Sequence, residues 1–216
     1  MSATQERDQA ARVARTDIAA ALRIARNIRD PWFRCQALAH GAWHETDQKP
    51  FFGPLTESLE SGWSINNPNR AVTAIAWPVA ALARRSFPGP DAKGRTNRVL
   101  RTVIARLARV VTEDPSPVSR ADALLLHVHA LSPTWSELRG TVLGLLLKEC
   151  RDPANRKRDR QLEEAALVIA DDDPATALAL TSSLDESRRC RTIARIEARS
   201  EGLGPRPFFE TKGTPL

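Results

Sequence analysis

Five arginines are spaced so that they share one side of a helix: Arg95, Arg98, Arg101, Arg106 and Arg109. At about 100° of rotation per residue, their side chains fall within an arc of about 140°. No Asp or Glu occurs from residue 92 to residue 112 to balance them. We call these five residues the basic stripe. A row of guanidinium groups without carboxylates is suited to binding phosphates or an acidic protein face.

The positive charge of the chain is concentrated around this stripe. The 216 residues include 32 Lys and Arg and 26 Asp and Glu, a net charge of +6. Nine basic and three acidic residues lie between residues 84 and 120, so this segment alone accounts for +6. A solvated helix face normally mixes signs, because like charges three or four residues apart repel. Two interpretations stay open: the stripe binds an anionic partner, or carboxylates of a neighbouring hairpin pair with it.

A histidine pair is the second set of residues that could do chemistry. His40 and His44 lie four residues apart, about 40° apart around a helix, so both could reach one metal ion. Glu45 lies about 100° further round and is a poor third ligand. The order of residues also differs from the H-E-x-x-H pattern, in which the Glu stands between the histidines. We therefore predict no metal and no cofactor, and interpret the pair as helix-surface histidines near a turn.

The sequence contains no catalytic motif that we can identify. Residues 89–94 lack the spacing and the preceding strand of a phosphate-binding loop. There is no G-x-S-x-G nucleophile motif either. Ser, His and acidic residues are present, but no spacing among them indicates a catalytic set. We predict that the protein is not an enzyme.

Cysteine usage and hydropathy indicate the compartment. The three cysteines, Cys35, Cys150 and Cys190, form no C-x-x-C pair, and an odd, sparse set is typical of a reducing environment. The polar N-terminus lacks the apolar core of a signal peptide. The longest apolar run covers residues 71–83, and a membrane span needs about 20 residues. We expect a cytoplasmic protein with no membrane partner.

Several aromatic residues are placed where a partner could be anchored. Trp77 lies inside the apolar run and is predicted to be core. The other tryptophans of interest lie near predicted helix starts or turns, where an exposed ring can anchor an interface. The motif Arg-Pro-Phe-Phe at 206–209 also echoes Lys-Pro-Phe-Phe at 49–52, in the predicted loop between the first two hairpins. The candidate interface aromatics are Trp32, Trp63, Trp135, Phe208 and Phe209.

The elements that carry these residues are predicted to be helices. Ala is abundant and Tyr is absent, which favours helices over a sheet. Residues 96–112 show the clearest helical pattern, with the apolar positions opposite the basic stripe. Pairs of Asp, Asn or Ser followed by Pro predict helix starts, because the first side chain caps free N–H groups and Pro suits the first helical position. Such pairs begin at residues 30, 67, 114, 132, 152 and 173.

The spacing of these pairs predicts a repeat. Those at residues 30, 67, 114 and 152 are 37, 47 and 38 residues apart, which leaves room for two helices and their turns. Residues 30–39 also align without a gap with residues 185–194, matching at Asp, Arg, Cys and Ala. Because Cys35 and Cys190 fall in register, we expect both to be buried packing positions. The predicted helical hairpins cover residues 16–45, 54–85, 96–131, 133–170 and 173–200.

The predicted organisation has three parts. Residues 1–15 form a polar segment that extends the first helix. Residues 16–200 form a single domain, with a hinge in the Pro- and Gly-containing loop at 86–95. Residues 201–216 form an extended tail, because they hold three Pro and three Gly and show no helical period.

The pattern A-L-x-x-A-x-x-I-x-D-P-x-x-R-x-x-A-L-A at residues 21–39 resembles the HEAT-type or TPR-like α-hairpin repeats of bacterial proteins. The likeness extends over most of residues 16–200 and is clearest in the first and last hairpins. The resemblance implies an all-α fold, an α-solenoid wound as a right-handed superhelix of about five antiparallel hairpins. It brings no catalytic residues. We expect a non-catalytic scaffold or adaptor that binds a protein partner. The alternative is a nucleic-acid-binding HEAT-like protein whose residues 95–109 contact phosphates.

Overall fold

A computed structural model describes residues 1–85, 87 and 90–200, without the side chains of Pro90, Arg199 and Ser200. These residues form α-helices and short 3-10 turns and contain no strand, so the all-α prediction is confirmed. The α-helices are α1 (Ala3–Val13), α2 (Ile18–Asn27), α3 (Pro31–Trp43), α4 (Gln48–Trp63), α5 (Pro68–Arg84), α6 (Pro90–Val110), α7 (Pro117–Ala130), α8 (Ser136–Cys150), α9 (Arg158–Ile169), α10 (Pro174–Thr181) and α11 (Glu186–Ser200). The 3-10 turns are Val111–Glu113 and Pro133–Trp135. In the described part of the chain, no helix is both long and apolar enough to span a bilayer.

Capping residues determine where several helices begin. Asp30, Asn67 and Asp173 each accept a hydrogen bond from a backbone N–H of the helix that follows. Pro occupies the first helical position of all three helices, where its missing N–H costs nothing. These three predicted helix starts are confirmed.

Two other Asp-Pro pairs precede their helices instead of starting them. Asp114 accepts a hydrogen bond from the Ser116 N–H, and α7 begins only at Pro117. Asp152 accepts from the Ala154 N–H, and α9 begins only at Arg158. An Asp side chain that bonds the backbone two residues on stabilises a turn. The predicted helix starts at these two pairs are therefore wrong.

Helix α6, which carries the basic stripe, begins earlier than predicted. Residues 90–95 belong to the helix, although the sequence predicted a loop over 86–95. Pro90 at the first position and Asp91 in the first turn both suit a helix N-terminus. The chain divides into two compact units between Glu113 and Asp114, after α6.

In the first unit, helices pack against near neighbours in the sequence. Helix α3 is central and contacts α1, α2, α4 and α5, while α6 packs against α5. The contact between α4 and its neighbours is close at Gly62, where an added Cβ would lie 2.6 Å from Ile75 Cδ1 and 3.1 Å from Cys35 Sγ. A larger residue at this position would therefore require Ile75 to shift. The largest fully buried side chains of the unit are Phe51, Ile28, Leu38, Leu55, Ile75, Leu82, Leu100 and Leu107.

The second unit has the same local pattern. Helix α9 is central and contacts α7, α8, α10 and α11, and α7 also packs against α8. In both units, contacts therefore join helices that are one or two elements apart. The largest fully buried side chains of this unit are Leu124, Leu131, Leu146 and His127.

The same arginine contact occurs once in each unit. Arg34 and Arg120 are each the fourth residue of a helix that begins with Pro. Each donates to a carbonyl six residues earlier, Ile28 at 3.2 Å and Asp114 at 2.7 Å. Arg34 also reaches Ser61 near the end of α4, and Arg120 reaches Glu149 near the end of α8. Because the start of one helix meets the end of the next, α3–α4 and α7–α8 are antiparallel hairpins.

The two cysteines in register differ in burial. Cys35 and Cys190 are the fifth residues of α3 and α11. Cys35 is 0% exposed, whereas Cys190 is exposed. The prediction of a buried packing position is confirmed for Cys35 and wrong for Cys190. Helix α3 packs against α1, α2, α4 and α5, whereas α11 packs against α9 and α10.

Candidate functional site

The amphipathic character of α6 positions the basic stripe. Its apolar face is buried through Leu100, Val103, Ile104 and Leu107. All five arginines of the stripe are exposed on the other side of the helix. Burial of the apolar residues therefore orients α6 and leaves the guanidinium groups at the surface.

Two arginines of the stripe lie over aromatic rings of α4. The Arg95 Cζ is 4.1 Å from the centroid of the Phe52 ring, and the Arg106 Cζ is 4.5 Å from the centroid of the Trp63 ring. Cation–π contacts of this kind are worth about 0.5–1 kcal/mol at exposed sites. They hold two flexible side chains in place, so part of the entropy cost of binding a ligand is already met.

The two ring contacts also relate α4 to α6. Phe52 and Trp63 are eleven residues apart, and so are Arg95 and Arg106. Because the contacts occur in the same order along both helices, α4 and α6 run in the same direction over this stretch. Eleven residues are about three helical turns, or about 16 Å.

Each arginine on a ring is followed three residues later by another arginine of the stripe. We call Arg95 and Arg98 the first pair and Arg106 and Arg109 the second pair. Within the described residues, none of these four has an ion pair. The interpretation that neighbouring carboxylates neutralise the stripe does not hold for them. Arg101 lies at the edge of the stripe, about 60° beyond Arg98.

The unit that carries the two pairs is positively charged overall. Residues 1–113, the first unit, contain seventeen Lys and Arg and ten Asp and Glu, a net charge of +7. The exposed residues between the two pairs include Thr102 and Ala105, which are small and uncharged. The two pairs are therefore two cationic points about 16 Å apart along α6, and Arg101 lies between them at the edge of the stripe.

The other predicted interface aromatics are less exposed than expected for free anchors. Trp32, Trp63 and Trp135 are all half-buried, as is Trp77, which was predicted to be core. The Arg70 guanidinium lies 5.3 Å from the Trp32 ring centroid, so Trp32 links α3 to α5. The predicted sites Phe208 and Phe209 lie outside the described residues.

The histidine pair lies inside the first unit. His40 is 5% exposed and His44 is half-buried, and their rings meet edge to face with centroids 5.1 Å apart. The interpretation as surface histidines is therefore wrong for His40, because α3 is the central helix of its unit. The Nε2 atoms of both rings are buried and have no hydrogen-bond partner among the described residues.

The environment of the pair disfavours positive charge. Burial, followed by the nearby His44 and Arg15, lowers the pKa of His40 to about 4. Burial, Arg15 and Arg85 also lower the pKa of His44. Neighbouring arginines oppose a metal cation for the same reason. In the described part of the chain, no three His, Cys, Asp or Glu side chains come close enough together to hold a metal ion.

Two of the thiols are protected by burial. Burial raises the pKa of Cys35 to about 12 and that of Cys150 to about 11. Only the thiolate is a strong nucleophile, so both side chains behave as small apolar groups at neutral pH.

Sequence reasoning identified the arginines but missed their aromatic partners. Phe52 was noticed only as part of a repeated motif placed in a loop, whereas residues 49–52 lie in the first turns of α4. The shared eleven-residue spacing of the aromatic and arginine residues was a signal that could have found both contacts. Comparisons with protein-family models, curated proteins and solved structures find no match for this chain, so its residues and their geometry carry the functional argument.

Proposed function

We propose that this protein is a non-catalytic helical-repeat scaffold that binds an acidic protein partner through the basic stripe of α6. The observation that carries the proposal is the pair of cationic points, Arg95 with Arg98 and Arg106 with Arg109. These four guanidinium groups are exposed and have no ion pair among the described residues. Two of them are held on aromatic rings. A guanidinium binds a carboxylate through two parallel hydrogen bonds, which gives direction as well as affinity.

The packing of each unit supports the repeat part of the proposal. Contacts join α1 to α3 and α3 to α5 in the first unit, and α7 to α9 and α9 to α11 in the second. Helices two elements apart pack in this way when hairpins are stacked. The ring contacts between α4 and α6 correspond to an offset of 43 residues, within the 37 to 47 residue spacing of the early Asx-Pro pairs. We propose that each unit is a stretch of right-handed α-solenoid.

The spacing of the stripe favours an acidic helix as the bound element. Along α6 the four arginines are separated by three, eight and three residues. A partner helix with carboxylates at the same intervals would meet both cationic points, and the symmetric intervals allow either direction. A nucleic-acid strand instead presents evenly spaced charges, about 3.4 Å apart, and not two groups at these intervals. The three free thiols of the chain also fit a reducing compartment such as the cytoplasm.

A pair of synthetic peptides tests the proposal. The first is a helical peptide with Glu at positions 1, 4, 12 and 15. The second has the same composition with the Glu residues spread evenly around the helix. We expect the first peptide to bind at least about tenfold more tightly, because only it places carboxylates at both cationic points. Equal binding of the two peptides, or no binding at low salt, would contradict the proposal.

Nucleic acid is the second candidate partner, because the same exposed arginines suit phosphates. Under this alternative, the logarithm of the binding constant for duplex DNA falls with the logarithm of salt concentration by about 0.9 per phosphate contact. Changing Arg98 and Arg109 to Ser would then remove about two phosphate contacts. The salt dependence would become less steep by that amount, and binding to all sequences would weaken alike. If the protein retards neither DNA nor RNA at low salt, this candidate is excluded.

A further inference from the structure

The two ring contacts mark the ends of a space between α4 and α6. Both helices pack against α5, and Arg95 and Arg106 reach from α6 to rings on α4. Each ring contact therefore bridges the two helices, and the two bridges are about 16 Å apart. Four residues between the bridges lie within about 40° of the bridging residues around their helices. They are Thr56, Leu59, Val99 and Thr102.

These four residues carry no charge, and their hydroxyl groups are already bonded. The Thr56 hydroxyl donates to the Phe52 carbonyl at 2.9 Å, and the Thr102 hydroxyl donates to the Arg98 carbonyl at 3.0 Å. Because each hydroxyl is bonded within its own helix, the two threonines need no polar partner from outside. The leucine and the valine are half-buried, so part of each side chain is accessible. The space between the bridges is therefore apolar, whereas its two ends are cationic.

Leu59 and Thr102 lie in the middle of this space. Leu59 is seven residues after Phe52, and Thr102 is seven residues after Arg95. Since the ring contacts relate the two helices by an offset of 43 residues, Leu59 and Thr102 lie at the same level. Thr102 is also halfway between the two arginine pairs, about 8 Å along α6 from the middle of each. A ligand that reaches both cationic points therefore passes over this apolar level.

We propose that the acidic helix that binds the basic stripe carries an apolar side chain midway between its two pairs of carboxylates, and that this side chain packs on Leu59 and Thr102. The inference rests on the proposed function, because the carboxylates determine where the helix lies. In a helix with Glu at positions 1, 4, 12 and 15, position 8 is the midpoint and lies on the same face as all four. It stays the midpoint when the helix is reversed.

An apolar residue at the midpoint adds affinity that carboxylates alone do not supply. Contacts between exposed charges are weakened by solvent and by salt. Removing aliphatic surface from water is favourable and does not need a paired charge. A charged residue at the midpoint would instead lose water against Leu59 and Thr102 without gaining a hydrogen bond. The midpoint residue therefore distinguishes this partner from other acidic helices.

Two isomeric peptides test the inference with the full chain. Both have Glu at positions 1, 4, 12 and 15. The first has Leu at position 8 and Ala at position 10, and the second has these two residues exchanged. Position 10 lies on the opposite face, so the peptides share composition, charge and helix propensity. We expect calorimetry to show that the first peptide binds about five- to tenfold more tightly, and that this ratio persists at higher salt while both affinities fall.

The variant Leu59→Ala locates the contact. It removes aliphatic surface at the middle level and leaves all the arginines of the stripe in place. We expect the preference for the first peptide to fall below about twofold, while the affinity of the second peptide changes by less than about twofold. Leu145→Ala is a matched control, because it shortens a half-buried leucine of α8, and it should keep the full preference.

The possible failures are distinguishable. If both peptides bind the wild-type protein equally, the inference is wrong and the proposed function stands, because the carboxylates then supply the affinity. If neither peptide binds, the proposed function fails and the inference fails with it. A preference that survives in Leu59→Ala would overturn the inference, because the apolar side chain would then pack elsewhere. Equal weakening of both peptides by Leu59→Ala would also overturn it, since Leu59 would then act on the cationic points.

Discussion

The arginines of α6 and those of the second unit have opposite surroundings. In the second unit, several arginines form ion pairs with carboxylates outside their own helix. Arg120 pairs with Glu149 at 2.6 Å, and Arg139 pairs with Asp172 at 2.7 Å. Arg160 pairs with Asp122 at 2.8 Å, and Arg195 pairs with Glu163. The four arginines of the two pairs on α6 have no such partner among the described residues. Positive charge therefore joins helices in the second unit and faces outward on α6.

Arginines therefore have two roles in this protein, joining helices and facing solvent, and composition alone cannot distinguish them. The Arg120 and Glu149 side chains are only 15% and 8% exposed, so each charge requires the other once it is removed from water. Arg98 and Arg109 of α6 are exposed and have no ion pair among the described residues, so we expect the fold to depend little on their charge. We therefore expect replacement of the buried, paired Arg120 to reduce stability strongly, and replacement of the exposed arginines of α6 to change stability little.

We expect the largest effect from replacing Arg120. The variant Arg120→Ala leaves the Glu149 carboxylate buried without its partner and removes the hydrogen bond to the Asp114 carbonyl. The free energy of unfolding in urea should fall by about 3–5 kcal/mol. The control Arg151→Ala removes an exposed arginine just after α8 and should change it by less than about 0.5 kcal/mol. A loss below about 1 kcal/mol for Arg120→Ala would show that the pair does not hold α7 against α8.

The pH dependence of stability tests the burial of His40, because a protonated His40 would place a positive charge inside the first unit. The pKa of His40 is lowered to about 4 in the folded protein, so the unfolded chain takes up the proton first as pH falls. Neutral His40 therefore makes its full contribution to the free energy of unfolding above about pH 6.5. This contribution is lost as the pH falls from there to about 4. The loss should be on the order of 3 kcal/mol. Urea unfolding across this range should show a smaller pH dependence in His40→Asn, and equal slopes would contradict the assignment.

Gly62 tests the placement of α4, which supplies the rings under Arg95 and Arg106. The variant Gly62→Ala puts a Cβ against Ile75 and Cys35 and should destabilise the protein by about 1–3 kcal/mol. Gly144 is a control inside α8, because it is exposed and a Cβ there meets nothing within 4 Å. Gly144→Ala should raise the stability by about 0.5–1 kcal/mol. Similar effects of both changes on the melting temperature would contradict the close approach of α4.

The smallest stability effect belongs to the basic stripe. The double variant Arg98→Ser/Arg109→Ser should change the free energy of unfolding by less than about 0.5 kcal/mol, because both side chains are exposed and without ion pairs. A large loss of stability would mean that the stripe has a structural role.

Local signals predicted much of the fold. The capping side chains at Asp30, Asn67 and Asp173 act within a few residues, so the starts of α3, α5 and α10 could be derived from sequence. The apolar and basic faces of α6 could be predicted from the helical spacing of its apolar and arginine residues. Asp152 was misleading because the same side chain can stabilise either a turn or a helix start.

The rest depended on packing between distant segments. The burial of His40 follows from the central position of α3, which no local pattern shows. The exposure of Cys190, whose sequence context matches that of Cys35, depends on which helices pack against α11, namely α9 and α10. Phe52 and Trp63 meet their arginines across 43 residues, and a single helical period cannot relate positions so far apart.

The most direct test of the central claim is the affinity of the peptide with Glu at positions 1, 4, 12 and 15 for two matched double variants. Arg98→Ser/Arg109→Ser removes one arginine from each cationic point. Arg151→Ser/Arg156→Ser removes the same charge from two exposed arginines of the second unit. We expect the first change to weaken binding by about tenfold, since each of the two contacts between exposed charges is worth up to about 1 kcal/mol. We expect the second change to have little effect. Equal weakening by both variants would show that net charge alone drives binding and would contradict a specific site on α6.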